Sequence, residues 1–324
     1  MQLIKSYATS FDNFLISKLG EFPNQSLYDP IKYIMDSKGK RIRPILAMIG
    51  CELFSGKSDP ALPVGMAVEM FHNFTLVHDD IMDHADIRRG KEAVHKKFGT
   101  SSAILSGDAM MILSYDLMSG YHPEVSFQLF DTLSKIGIGL CEGQQMDMDF
   151  EERRDVTIDE YLLMIEKKTS ILLGAALKMG SIVGGAEKSD QEHIYQFGKY
   201  IGIAFQIHDD ILDVFGDSTK VGKIKCGDII NNKKTYLYLK ALELADDDQR
   251  RTLEHFYSLQ PEDPTDKIEQ VLQIFNMLAV EEYANQLKEA YLHLGKSHLE
   301  AIYGDEEVKI KLQTLADFLI SREL

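Results

Sequence analysis

The chain is short of features on which several classes of protein depend. Tryptophan is absent, and the 324 residues include only three cysteines, Cys51, Cys141 and Cys226, without Cys-x-x-Cys spacing. A disulfide framework and a thiolate zinc site are therefore not expected, and a reducing cytoplasm fits this cysteine usage best. Lys and Arg number 35 against 51 Asp and Glu, which gives a formal net charge of −16. This balance argues against general binding to nucleic acid or to a membrane surface, so an anionic ligand must meet local cations.

Long apolar segments are also lacking. Residues 1–14 mix charged and polar side chains without an uninterrupted apolar stretch, so we expect no secretory signal. The most apolar segment, residues 171–186, contains Lys178 and is shorter than the ~20 residues that span a bilayer, so no transmembrane helix is expected. With 44% hydrophobic and 27% charged residues, the composition is that of a folded globular protein.

Proline is scarce in the middle of the chain, where Pro123 alone lies between residues 64 and 259. Because proline inside a helix costs about 3 kcal/mol, this scarcity favours stacked helices. An apolar stripe with alternating steps of three and four residues comprises Leu162, Ile165, Thr169, Leu172, Ala176 and Met179. It predicts one amphipathic helix, which Thr157 and Glu160 begin as a capping box. Strict two-residue alternation and long polar linkers are absent, so we predict an all-α fold in a single domain over residues 1–324.

The sequence has no glycine-rich phosphate loop, but it carries one acidic motif twice. His-Asp-Asp-Ile-Met-Asp at 78–83 recurs as His-Asp-Asp-Ile-Leu-Asp at 208–213. On a helix, the first and last aspartates of each motif lie one turn apart on one face, where like charges are destabilising by a few tenths of a kcal/mol. Two solvated helix faces remain an alternative for such motifs. A hard cation would reverse the sign of the interaction, and carboxylates that leave room for water and phosphate suit Mg²⁺ best.

Basic residues cluster near the two acidic motifs and between them. The clusters are Lys38, Lys40, Arg41 and Arg43; Arg88, Arg89 and Lys91; Lys167 and Lys168; and Lys223, Lys225, Lys233 and Lys234. Each cluster taken alone is typical of a solvated surface. Together with carboxylate motifs in an acidic chain, they indicate an enclosed site that holds phosphates, with Arg as a forked donor and Lys as a point charge.

These blocks resemble the trans-isoprenyl diphosphate synthases, the family of farnesyl, geranylgeranyl and longer polyprenyl diphosphate synthases. The matching blocks are Gly-Lys-Arg-Ile-Arg-Pro at 39–44, the first acidic motif through Arg-Arg-Gly at 88–90, Gly-Asp at 107–108, Gly-Gln-Gln-Met-Asp at 143–147, Lys-Thr-Ser at 168–170, Phe-Gln-Ile at 205–207 with the second motif, and 223–233. The resemblance implies a large single-domain bundle of antiparallel helices around a deep central cavity that both acidic motifs face. It also implies a homodimer. Residues before Pro30 and after Ala241 carry no usable signature.

The resemblance also implies a role for each matched residue. Two Mg²⁺ ions would be held by Asp79, Asp83 and Asp147 and a third by Asp209, with support through water from Asp80, Asp210 and Asp213. The allylic diphosphate would be contacted by Arg88, Lys168, Thr169, Gln206, Lys223 and Lys233. Isopentenyl diphosphate would be held by Lys40, Arg43, His72 and Arg89. The residues expected to be catalytic are Asp79, Asp83, Arg88, Lys168, Asp209 and Lys223.

The implied reaction is Mg²⁺-assisted ionisation of the allylic diphosphate, followed by attack of the isopentenyl double bond and loss of a proton. Metal ions and fixed cations suit this step because they stabilise the negative charge on the departing diphosphate. His78 and His208 are assigned no ligand role, and a buried core histidine remains an alternative for His72.

In this family, bulky side chains one to two turns before the first acidic motif form the floor of the product channel. Ideal helix geometry places Phe71 about 80° from Asp79 and Phe74 about 140°, which favours Phe71. The resemblance instead favours Phe74, which is followed by the small Thr75. Both choices predict a short product of fifteen or twenty carbons, with twenty favoured.

Three other interpretations are open. A terpene cyclase also uses an Asp-rich motif, but its second motif is usually an Asn/Ser/Glu triad, and Lys40 and Arg43 would have no purpose there. A His-Asp metal phosphohydrolase needs several spaced histidines, and the separation of His72 from His78 is too short. A non-catalytic regulatory subunit would have lost the acidic motifs, and both are intact here.

Overall fold

The computed structural model describes residues 2–37, 39–216 and 226–321. The helices are α1 (Gln2–Glu21), α2 (Tyr28–Met35), α3 (Ile42–Ser55), α4 (Leu62–Met82), α5 (Val94–Phe98), α6 (Thr100–Asp116), α7 (Pro123–Glu152), α8 (Ile158–Ile165), α9 (Ile171–Val183), α10 (Lys188–Phe215), α11 (Gly227–Ile230), α12 (Tyr236–Leu244), α13 (Asp247–Phe256), α14 (Thr265–Met277), α15 (Val280–Glu300) and α16 (Glu306–Ile320). The predicted all-α fold is confirmed. Within the described ranges, no helix is both long and apolar enough to cross a membrane.

Short elements lie between some of these helices. A 3₁₀ turn at Asp59–Ala61 precedes α4, and a π-helical segment, Glu166–Ser170, joins α8 to α9. Two antiparallel strands, β1 (Ile87–Arg88) and β2 (Lys91–Glu92), form a hairpin directly after the first acidic motif. The hairpin is not anticipated by the all-α prediction.

The chain forms two compact units. The first comprises residues 1–135, 172–195 and 302–311, and the second comprises residues 136–171, 196–301 and 312–324. Each unit therefore contains one of the two acidic motifs. The prediction of a single domain over residues 1–324 stays a prediction.

In the first unit, α3 and α9 pack with their backbones in contact. A Cβ atom on Gly50 of α3 would lie 2.5 Å from the carbonyl oxygen of Leu177, and one on Gly180 of α9 would lie 2.7 Å from the carbonyl carbon of Ala47. No side chain fits at either distance. These two glycines therefore allow the close helix approach on which this part of the core depends.

Helix α4 is buried along most of its length and packs against α3 and α6. Val64, Met66, Val68 and Met70 are fully buried, whereas Asp83, directly after the last turn, is exposed. The first acidic motif is thus placed at the accessible end of a helix whose remainder is fixed in the core.

In the second unit, α10 contributes a buried stripe to the core. Ile203, Ile207, Ile211 and Val214, at steps of four, four and three, pack with residues from α12, α14 and α15. This spacing is that of one face of an α-helix. The second acidic motif lies on α10 among these residues, so its backbone is also held by core packing.

The region from Thr157 to Met179 differs from its prediction in one respect. The capping box is confirmed, with the Glu160 N–H donating to Thr157 Oγ1 at 3.2 Å and the Thr157 N–H donating to Glu160 Oε2 at 2.9 Å. The single continuous helix is wrong, because the π-helical segment Glu166–Ser170 interrupts it. A Cβ on Gly143 of α7 would lie 2.8 Å from the carbonyl carbon of Lys167, so α7 packs directly on this segment. A π turn shifts the following side chains around the helix, and such turns are frequent at functional sites.

Candidate active site

The aspartates of the first acidic motif have different environments at the end of α4. The Asp83 N–H donates to the Asp79 carbonyl at 2.8 Å, so the two residues lie one turn apart as predicted. Asp79 is partly exposed and Asp83 is exposed, whereas Asp80 is fully buried. Two aspartates therefore remain accessible to a ligand, and the third faces inward.

Asp80 is held by Arg88 of β1. Its Oδ1 atom accepts a hydrogen bond from Arg88 Nε at 2.8 Å and a second from Arg88 Nη2. Burial alone would lower the pKa of the Arg88 guanidinium, but Asp80, Asp79 and Asp83 outweigh burial and raise it. Arg88, expected to contact the allylic diphosphate, is thus a permanent cation that also fixes the acidic motif from inside.

A tight turn presents the second arginine of this block. Arg89 and Gly90, which join β1 to β2, have φ values of 51° and 73°, the left-handed pair required by a two-residue hairpin turn. Arg89 Nη1 lies 3.5 Å from Asn73 Oδ1 of α4. A left-handed backbone conformation is costly at a residue other than glycine. Its presence at Arg89, which is predicted to bind a diphosphate, agrees with a functional constraint.

The basic segment before α3 is anchored by Arg41. This residue is buried, has φ 51°, and donates to Glu69 Oε1 at 2.8 Å and to the Met35 carbonyl at 2.6 Å. A buried ion pair of this kind fixes local geometry more than it adds stability. It holds in place the start of α3, with the exposed Lys40 before the helix and Arg43 in its first turn.

Arg43, His72 and Arg89 are brought together as expected for an anion site. Arg43 Nη1 lies 3.2 Å from His72 Nε2. Burial, together with Arg43 and Arg89, holds the pKa of His72 well below its ordinary value, so the ring is neutral and its Nε2 accepts from Arg43. Burial also lowers the pKa of Arg43 to about 10, and its Nε is buried without a hydrogen-bond partner among the described residues. An anion would relieve this crowding of positive charge.

The predicted chain-length residues lie on the same helix. Phe71 is 3% exposed, and its ring centroid is 5.0 Å from that of Phe74. Thr75 Oγ1 donates to the His72 carbonyl at 2.8 Å, so its hydroxyl is used by the helix itself. The structure therefore places both aromatic candidates in contact, and the choice between them stays a prediction.

The second unit contains a pocket of about 190 Å³. Its lining includes Asp147, Glu151, Lys168, Thr169, Gln206, Asp210 and Lys233. Five of these seven were predicted to bind diphosphate or metal from the sequence: Asp147, Lys168, Thr169, Gln206 and Lys233. The second unit thus brings together residues that are up to 86 positions apart in the chain.

Two lysines surround Asp147 in this pocket. Lys168 Nζ is 2.6 Å and Lys233 Nζ is 3.6 Å from Asp147 Oδ2, and Lys233 also pairs with Glu151 at 2.9 Å. Burial alone would raise the pKa of Asp147, but the two lysines outweigh burial and lower it. Asp147 is therefore ionised, and cations from the π-helical segment and from the residues after α11 converge on it.

Asp210 of the second acidic motif faces inward, like Asp80 of the first. It accepts hydrogen bonds from Tyr161 Oη and, at 3.1 Å, from Gln206 Nε2, and Thr169 Oγ1 donates to Gln206 Oε1 at 3.4 Å. Burial and the nearby Asp228 raise the pKa of Asp210 well above its ordinary value. This network positions Gln206 and Thr169, both predicted to contact the allylic diphosphate.

The other two aspartates of this motif lie on more accessible parts of α10. Asp209 is partly exposed. Asp213 Oδ2 accepts from the Asp228 N–H at 2.9 Å and so satisfies a donor in the first turn of α11. Lys223, predicted to be catalytic and to bind substrate, lies outside the described residues.

Two further lysines support this pocket, of which the sequence placed Lys234 in a basic cluster without an individual role and gave no role to Lys267. Lys234 Nζ donates to the carbonyls of Phe150 and, at 3.2 Å, Glu151, at the end of α7. Lys267 is 1% exposed and donates to the Ile230 and Leu259 carbonyls at 3.1 and 3.0 Å, and to Asn232 Oδ1. Together they fix the turn that carries Lys233. The basic pair at 233–234 gave a signal for Lys234, whereas the isolated Lys267 resembles any exposed helical lysine in the sequence.

Comparison with known proteins agrees with this arrangement. The family model described as polyprenyl synthetase matches residues 24–275. A geranylgeranyl diphosphate synthase from Methanosarcina mazei is 36% identical over 322 residues, covering 99% of this chain and 97% of the relative. A geranylfarnesyl diphosphate synthase from Natronomonas pharaonis is 34% identical over 317 residues, covering 92% and 90%.

The fold has solved counterparts as well. A crystal structure of geranylgeranyl pyrophosphate synthase superposes with a TM-score of 0.94 at 42% identity and covers 98% of both chains. The family match spans most of this chain, and the relatives align over nearly their full length. The resemblance drawn from the sequence is thereby confirmed. The chain belongs to the polyprenyl synthetase family, the trans-isoprenyl diphosphate synthases.

Proposed function

We propose that this protein is a prenyltransferase that condenses isopentenyl diphosphate with an allylic diphosphate to give a short prenyl diphosphate, with twenty carbons favoured over fifteen. The observation that carries the proposal is that each compact unit places an acidic motif together with several fixed cations, Arg88, Arg89 and Arg43 in the first unit and Lys168 and Lys233 in the second. The relatives named geranylgeranyl diphosphate synthase support the twenty-carbon product. Another relative is named geranylfarnesyl diphosphate synthase, so a product of twenty-five carbons is the alternative.

The family is metal-dependent, and the oxygen donors of this chain suit Mg²⁺. Mg²⁺ is usually bound by one or two carboxylates together with substrate phosphate and water. Asp79 and Asp83 offer accessible carboxylates one turn apart, and the Oδ2 atom of Asp80 beside them is buried without a hydrogen-bond partner among the described residues. The number of about three ions, assigned to Asp79, Asp83 and Asp147 and to Asp209, comes from the resemblance. Bound Mg²⁺ supplies positive charge that stabilises the departing diphosphate.

The cations divide between the two substrates. The resemblance assigns Lys168, Lys233, Arg88 and Lys223, with the polar Thr169 and Gln206, to the allylic diphosphate, and the second unit brings Lys168, Lys233, Thr169 and Gln206 to one pocket. Arg43, Arg89, His72 and Lys40 are assigned to isopentenyl diphosphate by the resemblance, and the contact of Arg43 with His72 supports a common anion site for these two residues. Arg supplies the forked donors and Lys the point charges that phosphate oxygens require.

The reaction then follows from charge separation. The allylic carbon–oxygen bond breaks, and its electron pair leaves with the diphosphate. The isopentenyl double bond attacks the allylic cation, which forms the new carbon–carbon bond, and the released diphosphate accepts the proton that is lost. Fixed cations help because they face the atoms on which negative charge develops and need no reorganisation.

The family also supports a homodimer, and α6 supplies a suitable surface in the first unit. Ile104, Leu105 and Ile112 of α6 are 44%, 60% and 65% exposed, and Phe127 of α7 is 71% exposed. Exposed large apolar side chains in such number are typical of a surface that another protein covers. A second copy of this chain is the proposed partner.

The cytoplasmic location that the cysteine usage indicates stays a prediction.

Replacing Asp79 or Asp83 by Ala should abolish turnover with little loss of stability. Removal of either carboxylate relieves their mutual repulsion and also removes a charge near Arg88, so the two effects on stability oppose each other. Loss of a metal ligand should lower kcat by at least about 10²–10³-fold. Asp209→Ala should have a similar effect. Prenyl transfer is measured with Mg²⁺, and Tm is measured by circular dichroism.

The control for these variants is Asp131→Ala, which removes an exposed carboxylate from α7 that pairs with Lys135. Its activity and Tm should equal those of the wild type. Near-wild-type activity in the Asp79 or Asp83 variant would remove the metal assignment.

Lys40→Ala and Arg43→Ala should raise KM for isopentenyl diphosphate more than KM for the allylic substrate, and Lys168→Ala and Lys233→Ala should do the opposite. Loss of one charged contact to a diphosphate corresponds to about a tenfold change in KM. Initial rates measured against each substrate in turn test this, with Lys135→Ala on the exposed side of α7 as the control. Equal effects of all four variants on both Michaelis constants would contradict the division.

The wild-type product should contain fifteen or twenty carbons, and Phe74→Ala, alone or with Phe71→Ala, should lengthen it. Removal of one or both rings opens the floor against which the growing chain stops. Chromatography of the dephosphorylated products gives the distribution. A wild-type product of thirty or more carbons, or an unchanged distribution in the double variant, would refute the assignment.

A further inference from the structure

Phe74 is contacted on both sides by other rings of α4. The rings of Phe71, Phe74 and His78 follow one another at steps of three and four residues. Their centroids are 5.0 and 5.2 Å apart, with interplanar angles of 80° and 83°, so both contacts are edge-to-face. Such contacts are favourable and directional. The orientation of Phe74 is therefore coupled to that of His78.

His78 is in turn held by α6. Its Nε2 lies 3.2 Å from the Ile104 carbonyl oxygen and 4.0 Å from Asp108 Oδ1. A carbonyl oxygen can only accept, so Nε2 carries the hydrogen and donates it. This hydrogen bond fixes the plane of the imidazole, which is only 24% exposed, against the neighbouring helix.

Gly107 provides the space that this ring occupies. A Cβ atom at position 107 would lie 2.7 Å from His78 Cδ2 and closer still to Nε2. Any larger residue would displace the imidazole. Glycine inside a helix is less favourable than alanine, so α6 accepts a less stable residue at the point where the ring of His78 enters.

We propose that His78 is a positioning residue for product length, which acts by fixing the ring of Phe74. Held between Gly107 and the Ile104 carbonyl, its imidazole blocks the side toward which Phe74 could otherwise turn. This inference rests on the proposed function, in which Phe74 forms the floor of the product channel. It adds that the floor is rigid only while the contact of α4 with α6 through His78 is intact.

The test compares product lengths in His78→Ala, His78→Gln and Gly107→Ala. His78→Ala removes the ring and the hydrogen bond, His78→Gln keeps a donor without the ring, and Gly107→Ala displaces the ring without altering α4. All three should raise the ratio of the next-longer product to the wild-type product by about tenfold or more. His78 adjoins Asp79, so its replacement can lower the total rate of turnover. The measured quantity is a ratio of two products, which a lower total rate leaves unchanged. Gly120→Ala is the control, since nothing lies within 4 Å of a Cβ there.

A double-mutant cycle shows whether His78 acts through Phe74. His78→Ala should add no further lengthening in a Phe74→Ala background, because the ring that it positions is already gone. An unchanged ratio in all three single variants, with a lower Tm, would mean that His78 only stabilises the packing of α4 on α6, and the inference would be overturned. Additive lengthening in the cycle would overturn it as well.

The Phe74→Ala variant separates failure of this inference from failure of the proposed function. If Phe74→Ala lengthens the product while the His78 and Gly107 variants do not, the proposed channel floor stands and only the role of His78 is lost. If the wild type forms no prenyl diphosphate, the proposed function itself is wrong.

Discussion

The rest of this structure depends on one constraint, which is that groups with charges of the same sign are held close together at the site. Asp79 and Asp83 lie one turn apart at the end of α4, and Arg43 lies beside His72 and Arg89, so charges of one sign are grouped at each place, with Arg88 and Glu69 as nearby counter-charges. The fold holds these groups in place through the buried body of α4 and through buried ion pairs beside them. Most of α4 is buried, and its inward aspartate, Asp80, is bound by Arg88. Binding of a metal and a diphosphate is thereby favoured, because it relieves repulsion that the core does not allow the protein to relieve by moving.

Three cations that are bound to protein groups, Arg41, Lys234 and Lys267, position the neighbouring cations that are proposed to bind the ligand. Arg41 binds Glu69 and the Met35 carbonyl, Lys234 binds the end of α7, and Lys267 binds two carbonyls and Asn232. Each of these groups lies close in sequence or space to a turn that presents another cation. Long flexible lysines lose much conformational freedom when they bind, so a rigid turn reduces that cost at the moment of binding.

Much of this arrangement could be predicted from sequence, because helical spacing and doubled motifs are local signals. The capping box at Thr157 and the inclusion of both acidic motifs in helices are examples. The π-helical segment at Lys168 could not be predicted, since it depends on α7 packing at Gly143. The sequence separated Asp79 from the adjacent Asp80 through the resemblance, but it could not predict that Asp80 pairs with Arg88, because only the fold decides which carboxylate meets that residue. The burial of Lys267 had no sequence signal for the same reason.

The central claim is that carboxylates and cations together build a site for a metal-bound diphosphate. It is tested most directly by measuring Tm with Mg²⁺ alone, with inorganic diphosphate alone and with both. A ligand stabilises the folded state in proportion to its binding, and each component alone leaves one set of like charges unneutralised. We expect Mg²⁺ and diphosphate together to raise Tm by clearly more than the sum of their separate effects. A joint shift no larger than that sum would contradict the account.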